Sequence, residues 1–449
     1  MHQTVREFFR PGGPTARSVF RMSSDGDANL GIAITCIRYL MLCATNPSLS
    51  DPPESASWTS DHFEACVRYL HERPFIKYAL SYLKEHLHKC RQATRISGLI
   101  SQIREQLTSG PTSCILEAWF LQDWRQADPT EKEQRDSKEF RMRLLHTATR
   151  MEYSQVVDVL LIAGAEVEAC LDGKTPLMVS AEIGDRETAG VLLDKGASMT
   201  AKDNDGQIAL HLAAREGHNG VMGLLIDRGA DKEATDNKGQ TALHLAAVNG
   251  QEGNARLLLD QGAEIEATDK EGQTALHLAA VNGQEGSARL LLDQGAEIEE
   301  RDTDRQTALH LAASNGRDSV VALLLDRGAS IGAKDICGWQ VLHAAAWNGH
   351  GGTVKLLVET FGADKEATDD FGWTALHVAA VCGRNTMVEM IVQNLGADKD
   401  AEDTLGWTAL HFVAALGLKG TVQTLIKILG VNKNERNNEG KAALDLAQE

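Results

Sequence analysis

A segment of about 33 residues recurs along the last two thirds of this chain, and this period restricts the folds that the chain can adopt. The heptapeptide Thr-Ala-Leu-His-Leu-Ala-Ala stands at 241–247, 274–280 and 307–313. Looser copies extend the series, with anchor positions at 175, 208, 241, 274, 307, 340, 374, 408 and 442. A fixed period of this length is typical of a stacked array in which each unit contacts only its neighbours. We therefore predict a solenoid of helix pairs rather than a single compact core.

Every unit carries the same order of turn and helix signals. Gly239 stands in a predicted tight turn, where a positive φ is accessible at low cost only to glycine. Thr241 is placed to cap a first short helix, and Gly250 is placed to end it. A leucine triplet fills a second helix, which Gly262 would terminate. This complete pattern resembles the ankyrin repeat.

The resemblance implies a mostly α fold, an ankyrin-repeat α-solenoid whose helix pairs are joined by short β-hairpin loops. We expect about ten units over residues 140–449, the last of them truncated. One unit has Arg305 in place of the turn glycine. Three units have 34 residues, and the extra residue is expected to lengthen the turn after the second helix, before Gly362, Gly396 and Gly430.

Residues 1–139 do not repeat, and their apolar spacing predicts an all-α N-terminal domain. The segments 2–9 and 74–86 resemble the region downstream of the NACHT nucleotide-binding module in fungal STAND proteins, which often carry ankyrin arrays. The chain begins inside this motif and contains no G-x-x-x-x-G-K-[ST] phosphate-binding loop. We therefore expect a truncated relative or a stand-alone protein without a nucleotide switch.

The net charge of −18 arises entirely beyond residue 140, because residues 1–140 carry 17 basic and 17 acidic side chains. A nucleic-acid surface needs a basic face, so we expect no direct nucleic-acid partner. The acidic surface has two interpretations. It is either a solvated, self-repelling face that keeps the protein soluble or a strip that selects basic partners.

Eight cysteines are scattered singly, without a C-x-x-C pair. This pattern favours reduced thiols in the cytoplasm or nucleus over a disulfide framework. We find no secretory pattern, and the most apolar stretch, residues 30–44, is too short to span a bilayer. We predict a cytoplasmic or nuclear protein that is not secreted and has no membrane partner.

Fifteen histidines raise the question of a metal or catalytic site. Eight of them occupy the anchor, one in each layer and about 10 Å from the next, which is too far apart to hold zinc. We expect each imidazole to hydrogen-bond to the backbone of the adjoining hairpin, and the repeated aspartates to bond to turn amides. No nucleophile or metalloprotease motif is present. The prediction is a protein with no enzymatic activity, no cofactor and no metal.

Aromatic residues are distributed unevenly, since none occurs between Tyr153 and Trp339. Tryptophan then occupies one hairpin position in three successive units, where earlier units have glutamine. These rings would either form an exposed strip of binding residues on the concave face or pack sideways against the next hairpin. The candidate partner-binding residues are Trp339, Trp347, Phe371, Trp373 and Trp407.

The predicted function is a non-enzymatic scaffold or adaptor that binds a protein partner on the concave surface of the repeats. A transcriptional co-regulator, such as one that serves a fungal specialised-metabolite gene cluster, is one alternative. A truncated STAND-type sensor or decoy without NTPase activity is another. The repeats share their scaffold across unrelated roles, so the sequence leaves the partner and the oligomeric state open.

Overall fold

The computed structural model describes residues 131–162 and 164–447, together with two helical residues at 64 and 68. The N-terminal helices predicted before residue 131, and the segments that resemble STAND proteins, lie outside the described residues. The described chain is helical, and its non-helical backbone contains isolated antiparallel bridges rather than strands. The mostly α fold predicted from the repeats is confirmed.

The chain divides into two compact units, one up to Asn204 and one from Asp205. The described helices of the first unit are Glu131–Arg150, Ser154–Ile162, Pro176–Ile183 and Arg186–Asp194. The predicted domain boundary between residues 139 and 140 falls inside the first of these helices, and the division into domains stays a prediction.

In the unit from Asp205 each repeat except the last contributes two short helices, and the last contributes one within the described residues. The first helices of the pairs are Ala209–Glu216, Ala242–Val248, Ala275–Asn282, Ala308–Ser314, Val341–Asn348, Ala375–Val381, Ala409–Ala415 and Ala443–Leu446. The α-helical parts of the second helices are Asn219–Asp227, Glu252–Asp260, Glu285–Asp293, Asp318–Asp326, Gly351–Lys355, Asn385–Glu389 and Lys419–Gln423. Successive first helices contact each other, as do successive second helices, so the pairs stack in chain order.

The first helices form the centre of each layer because their side chains are small and apolar. Ala246 and Ala247 are fully buried, as are the matching alanines of neighbouring units. Alanine has the highest helix propensity and lets adjacent helices approach closely. On the second helix, Leu258 is fully buried against this layer. The core of each unit therefore consists of two thin helical layers rather than one thick centre.

The extra residue of the 34-residue units lies in the second helix, so the prediction of a longer turn is wrong. These helices end in π-helical turns at Leu356–Thr360, Met390–Asn394 and Thr424–Ile428. In a 33-residue unit the closing bond runs from Ala263 N to the Leu258 oxygen. In the longer unit it runs from Ala363 N to the Leu357 oxygen, one residue further. The extra residue is therefore accommodated in the wider last turn of the second helix, and the loop that follows the helix keeps its length.

Arg305 adopts the backbone conformation that glycine adopts in the other units. Its φ is +60°, whereas Gly239, Gly272 and Gly338 have φ between +75° and +82°. A Cβ on Gly272 would lie 3.0 Å from the backbone nitrogen of Thr303. Glycine is therefore favoured for two reasons, the left-handed conformation and the close approach of the next hairpin.

No helix in the described part of the chain is long and apolar enough to cross a membrane.

Candidate protein-binding surface on the hairpins

Each hairpin is held by an aspartate that accepts two backbone hydrogen bonds. Asp369 Oδ1 accepts from the backbone N–H groups of Phe371 and Trp373, both at 2.8 Å. The same arrangement recurs at Asp236, Asp269, Asp302, Asp335 and Asp403. The prediction that these aspartates satisfy turn amides is confirmed. Because the carboxylates fix the hairpins, side chains at the tips project from a rigid base.

Neighbouring tips are joined by backbone hydrogen bonds. The Thr404 N–H donates to the Phe371 carbonyl at 3.1 Å, and the Asn438 N–H donates to the Leu405 carbonyl at 3.1 Å. Equivalent bonds start from Asn237, Lys270, Thr303 and Ile336. The pair at Asp370 and Cys337 does not make this bond, although Gly338 lies against the Asp370 nitrogen. These backbone bonds therefore join neighbouring hairpins at the other tips of this unit.

The anchor histidines join each helix pair to the next hairpin, as predicted. His244 Nδ1 lies 3.1 Å from the Thr241 backbone nitrogen and 2.9 Å from the Thr241 hydroxyl, while Nε2 lies 3.0 Å from the Gln273 carbonyl oxygen. A backbone N–H can only donate and a carbonyl can only accept, so we assign the ring proton to Nε2. Thr241 stands at the predicted N-cap position, but its hydroxyl makes no hydrogen bond to a helix amide and is bonded to the imidazole instead. The imidazole accepts the N-cap backbone N–H, the role that glutamate has in a capping box.

Burial keeps these imidazoles neutral. Desolvation lowers the pKa of His244 below its usual 6.5. The carbonyl of Gln273 and nearby aspartates oppose this shift only in part. The pKa is also lowered by burial at His146, His277, His310, His343 and His377. A second ring proton would face the backbone N–H that Nδ1 accepts from. The histidines are therefore structural connections between layers.

The three hairpin tryptophans are half-buried, and aromatic neighbours cover part of each ring. The Trp339 ring lies 5.3 Å from the ring of Trp347. Phe412 lies between the other two, 4.6 Å from the ring of Trp373 and 4.9 Å from that of Trp407. The three tryptophan rings therefore pack against neighbouring aromatic rings, which is one of the two arrangements expected from the sequence. Each ring also remains partly exposed to solvent.

The other two candidate residues are more exposed. Trp347 is 42% exposed and Phe371 is 65% exposed. The structure adds Ile336 at 59% and Leu405 at 62%, which the candidate set omitted. Their signal was present in the sequence, because earlier units have polar residues at these tip positions. Ile336, Phe371 and Leu405 lie on successive hairpins, and we call them the apolar tip row.

Negative charge surrounds this row. The pKa of the Cys337 thiol, next to Ile336, is raised first by desolvation and then by the carboxylates of Asp335, Asp304, Asp369 and Asp370. Lys334 Nζ lies 3.1 Å from Asp370 Oδ1 and offsets part of this charge. An anionic environment disfavours the thiolate, which is the nucleophilic form of cysteine. The raised pKa therefore favours the protonated thiol of Cys337, which is not a candidate nucleophile.

Other acidic side chains serve the stacking of the repeats. Glu266 Oε1 accepts the Glu297 backbone N–H at 2.7 Å, and Glu299 Oε1 accepts that of Ser330 at 2.7 Å. Glu233, Glu366 and Asp400 make the same contact with the next unit. We call these five residues the carboxylate row. The position is occupied by Gly332 in one unit, which interrupts the row. Much of the acid on this protein is therefore structural.

The described residues contain no group of three or more histidine, cysteine, aspartate or glutamate side chains arranged to hold a metal ion. The anchor histidines lie one to a layer, and each bonds to backbone. The hairpins offer apolar tips and fixed charges, which suit contact with another molecule's surface rather than coordination of a metal ion.

Comparison with protein families identifies the repeats. The family model for ankyrin repeats in three copies matches residues 118–203, 199–269, 263–335 and 309–403. The model for a single ankyrin repeat matches residues 405–438. Together these matches cover well over half of the chain, and the chain belongs to the ankyrin-repeat family. Membership supports a role in protein–protein interaction. A comparison with curated proteins finds no match.

Proposed function

We propose that this chain is a non-enzymatic adaptor that captures a protein partner on the hairpin side of its last repeats. The observation that carries this proposal is the position of the exposed large apolar side chains. In the described part of the chain these are Ile336, Trp347, Phe371, Leu405, Leu416, Ile426, Ile428 and Leu444. All of them lie beyond residue 335, and none lies in the regular repeats between 205 and 334. Ile336, Phe371 and Leu405 lie at successive hairpin tips, whereas Ile426, Ile428 and Leu444 lie on helices. Exposed apolar residues on neighbouring tips mark interaction sites on soluble proteins.

The five residues chosen from the sequence have two roles in this proposal. Phe371 and Trp347 are the exposed contact residues, together with Ile336 and Leu405. Trp339, Trp373 and Trp407 contribute their exposed edges and support the tips through ring packing. Aromatic side chains on a rigid base lose little entropy on binding, and such residues dominate the energetics of interfaces.

The test compares two sets of tip substitutions in the full chain. The first is Ile336→Thr, Phe371→Gln and Leu405→Gln. The matched control changes tips of earlier repeats, Lys238→Gln, Glu271→Gln and Thr303→Ser, the last of which keeps the hydroxyl that donates to the Glu271 carbonyl. Both sets are exposed, so each should change the free energy of unfolding by about 0.5 kcal/mol or less.

Quantitative affinity purification from the native cell then measures which partners are lost. The adaptor proposal expects a defined partner set to disappear with the first variant and to remain with the control. It is contradicted when both variants retain the same partners. The co-regulator and sensor hypotheses are narrower forms of this proposal. Co-purification of a DNA-bound factor from nuclei would support the first, and of an NTPase-bearing relative the second.

A further inference from the structure

The charge around the apolar tip row differs between its two ends. Basic side chains are concentrated at the Ile336 end, where Lys334 pairs with Asp370 and Arg301 donates to the Lys334 carbonyl. Toward Phe371 and Leu405 the exposed side chains include the acids Asp370, Glu402 and Glu439. An exposed cation on the following hairpin, Arg436, lies 3.7 Å from Asp445, which offsets its charge. At the Ile336 end, desolvation and then the carboxylates of Asp335, Asp304, Asp369 and Asp370 raise the pKa of the Cys337 thiol, so negative charge is present there as well. A ligand of the row must therefore combine apolar side chains with positive charge.

The repeat spacing restricts the conformation of such a ligand. Stacked helices lie about 8–10 Å apart, so adjacent tips are separated by about the same distance. A polyproline II segment rises about 3.1 Å per residue with three residues per turn. Every third side chain then points to the same side, at about 9 Å. A β-strand turns its side chains alternately to opposite faces, so residues three apart cannot both face the row.

An α-helix matches this spacing less well. It presents one face every seven residues at about 10.5 Å, but helical ligands dock their apolar face into a groove. The tips of Ile336, Phe371 and Leu405 project from hairpins, and each is more than half exposed. A narrow extended segment can contact a line of projecting side chains without a groove.

We propose that the apolar tip row binds an extended segment of its partner in the polyproline II conformation, with apolar side chains at every third position and Lys or Arg between them. This inference rests on the proposed adaptor function and specifies the chemistry of the partner. It joins the three exposed tips and their acidic surroundings into one site.

Synthetic peptides test it directly with the full-length chain. The probe is a fluorescein-labelled peptide of three consecutive Leu-Pro-Lys triplets. One control has the same composition with its leucines adjacent, and another replaces each lysine by glutamate. Fluorescence anisotropy at low salt should show binding of the first peptide and at least about tenfold weaker binding of both controls. Binding should weaken as salt is raised, because the charges are exposed.

The variant carrying Phe371→Gln and Leu405→Gln should lose this binding, and the control variant Lys238→Gln and Glu271→Gln should keep it. Equal binding of the peptide with adjacent leucines, no binding of any peptide, or binding that persists in the tip variant would each overturn the inference. The proposed function fails separately, when partner capture from cells does not depend on the tip row. Capture that depends on the row, combined with no register-dependent peptide binding, removes only the polyproline II proposal.

Discussion

His310 Nε2 lies 3.2 Å from the carbonyl oxygen of Trp339 in the hairpin of the next repeat. The same nitrogen lies 3.0 Å from the Ala333 carbonyl, and Nδ1 accepts from the Thr307 backbone N–H at 3.3 Å. One imidazole therefore connects the start of its own helix to the hairpin that carries an aromatic side chain. The packing of the layers and the position of the candidate surface depend on the same side chain.

The histidine connections predict that the array loses stability in mild acid. Burial lowers the pKa of His277 in the folded chain below the usual 6.5, so the unfolded chain binds more protons between these two values. The stabilisation is complete above about pH 6.5 and is lost as the pH falls toward the lowered pKa. Urea denaturation at about pH 7.5 and about pH 5 should show a lower free energy of unfolding at the lower pH.

The variant His277→Gln separates this effect from the titration of carboxylates. Glutamine keeps a donor and an acceptor but carries no charge at either pH. The variant should be less stable than the parent at neutral pH, and the pH-dependent loss should be smaller. An unchanged pH dependence would show that this histidine does not contribute to the acid sensitivity.

Completing the carboxylate row should stabilise the array. Gly332 replaces the carboxylate that would bond to the next unit, and a Cβ at this position meets no atom within 4 Å. We expect Gly332→Glu to add a hydrogen bond to the following loop and to raise the free energy of unfolding by about 1 kcal/mol, a modest value because the site is exposed. Gly332→Ala is the control, since it removes the glycine without adding an acceptor. If the two variants are equally stable, the row contributes nothing.

Restoring the turn glycine should also be stabilising. Arg305 has φ of +60°, a conformation that costs ordinary residues about 1–2 kcal/mol. Arg305→Gly relieves this cost but adds freedom to the unfolded chain, which leaves a net gain of about 0.5–1 kcal/mol. The reverse exchange, Gly272→Arg, should destabilise the neighbouring hairpin. Thermal unfolding of both variants measures the two effects, and shifts of the same sign would contradict the explanation.

Replacing a packed aromatic residue by alanine should lower the free energy of unfolding more than replacing an exposed one. Phe412 lies between the rings of Trp373 and Trp407, so Phe412→Ala should lower the free energy of unfolding by about 2–3 kcal/mol. Phe371 is exposed, and Phe371→Ala should change it by about 0.5 kcal/mol or less. Chemical denaturation checks both values. Similar losses from the two variants would place Phe371 in the packed structure and remove it from the candidate surface.

The repeated elements could be predicted because one period encodes them. Thr241, His244 and Gly262 recur at constant spacing, and their positions at the cap, the interlayer bond and the helix end follow from local chemistry. The roles of irregular residues could not be predicted in this way. The extra residue before Gly362 can be accommodated in a turn or in a helix, and only the hydrogen bond from Ala363 to Leu357 decides between them.

The candidate surface was only partly predictable for a related reason. The exposure of Trp373 depends on Phe412, which is distant in sequence and lies on the helix of the next repeat. Exposure at a tip depends only on its own hairpin, so Phe371 could be selected correctly as an exposed residue. Ile336 and Leu405 carry the same apolar signal, but an aliphatic side chain at a tip indicates an interface less strongly than an aromatic one.

Site-specific photo-crosslinking in the native cell tests the central claim most directly. A photoreactive amino acid replaces Phe371 in one chain and Lys238, the matching tip of an earlier repeat, in another. The account predicts that crosslinks from position 371 concentrate on one segment of one partner protein, and that position 238 gives no such product. The claim is contradicted if the two positions yield the same products, or if position 371 yields no protein crosslink while the chain remains folded.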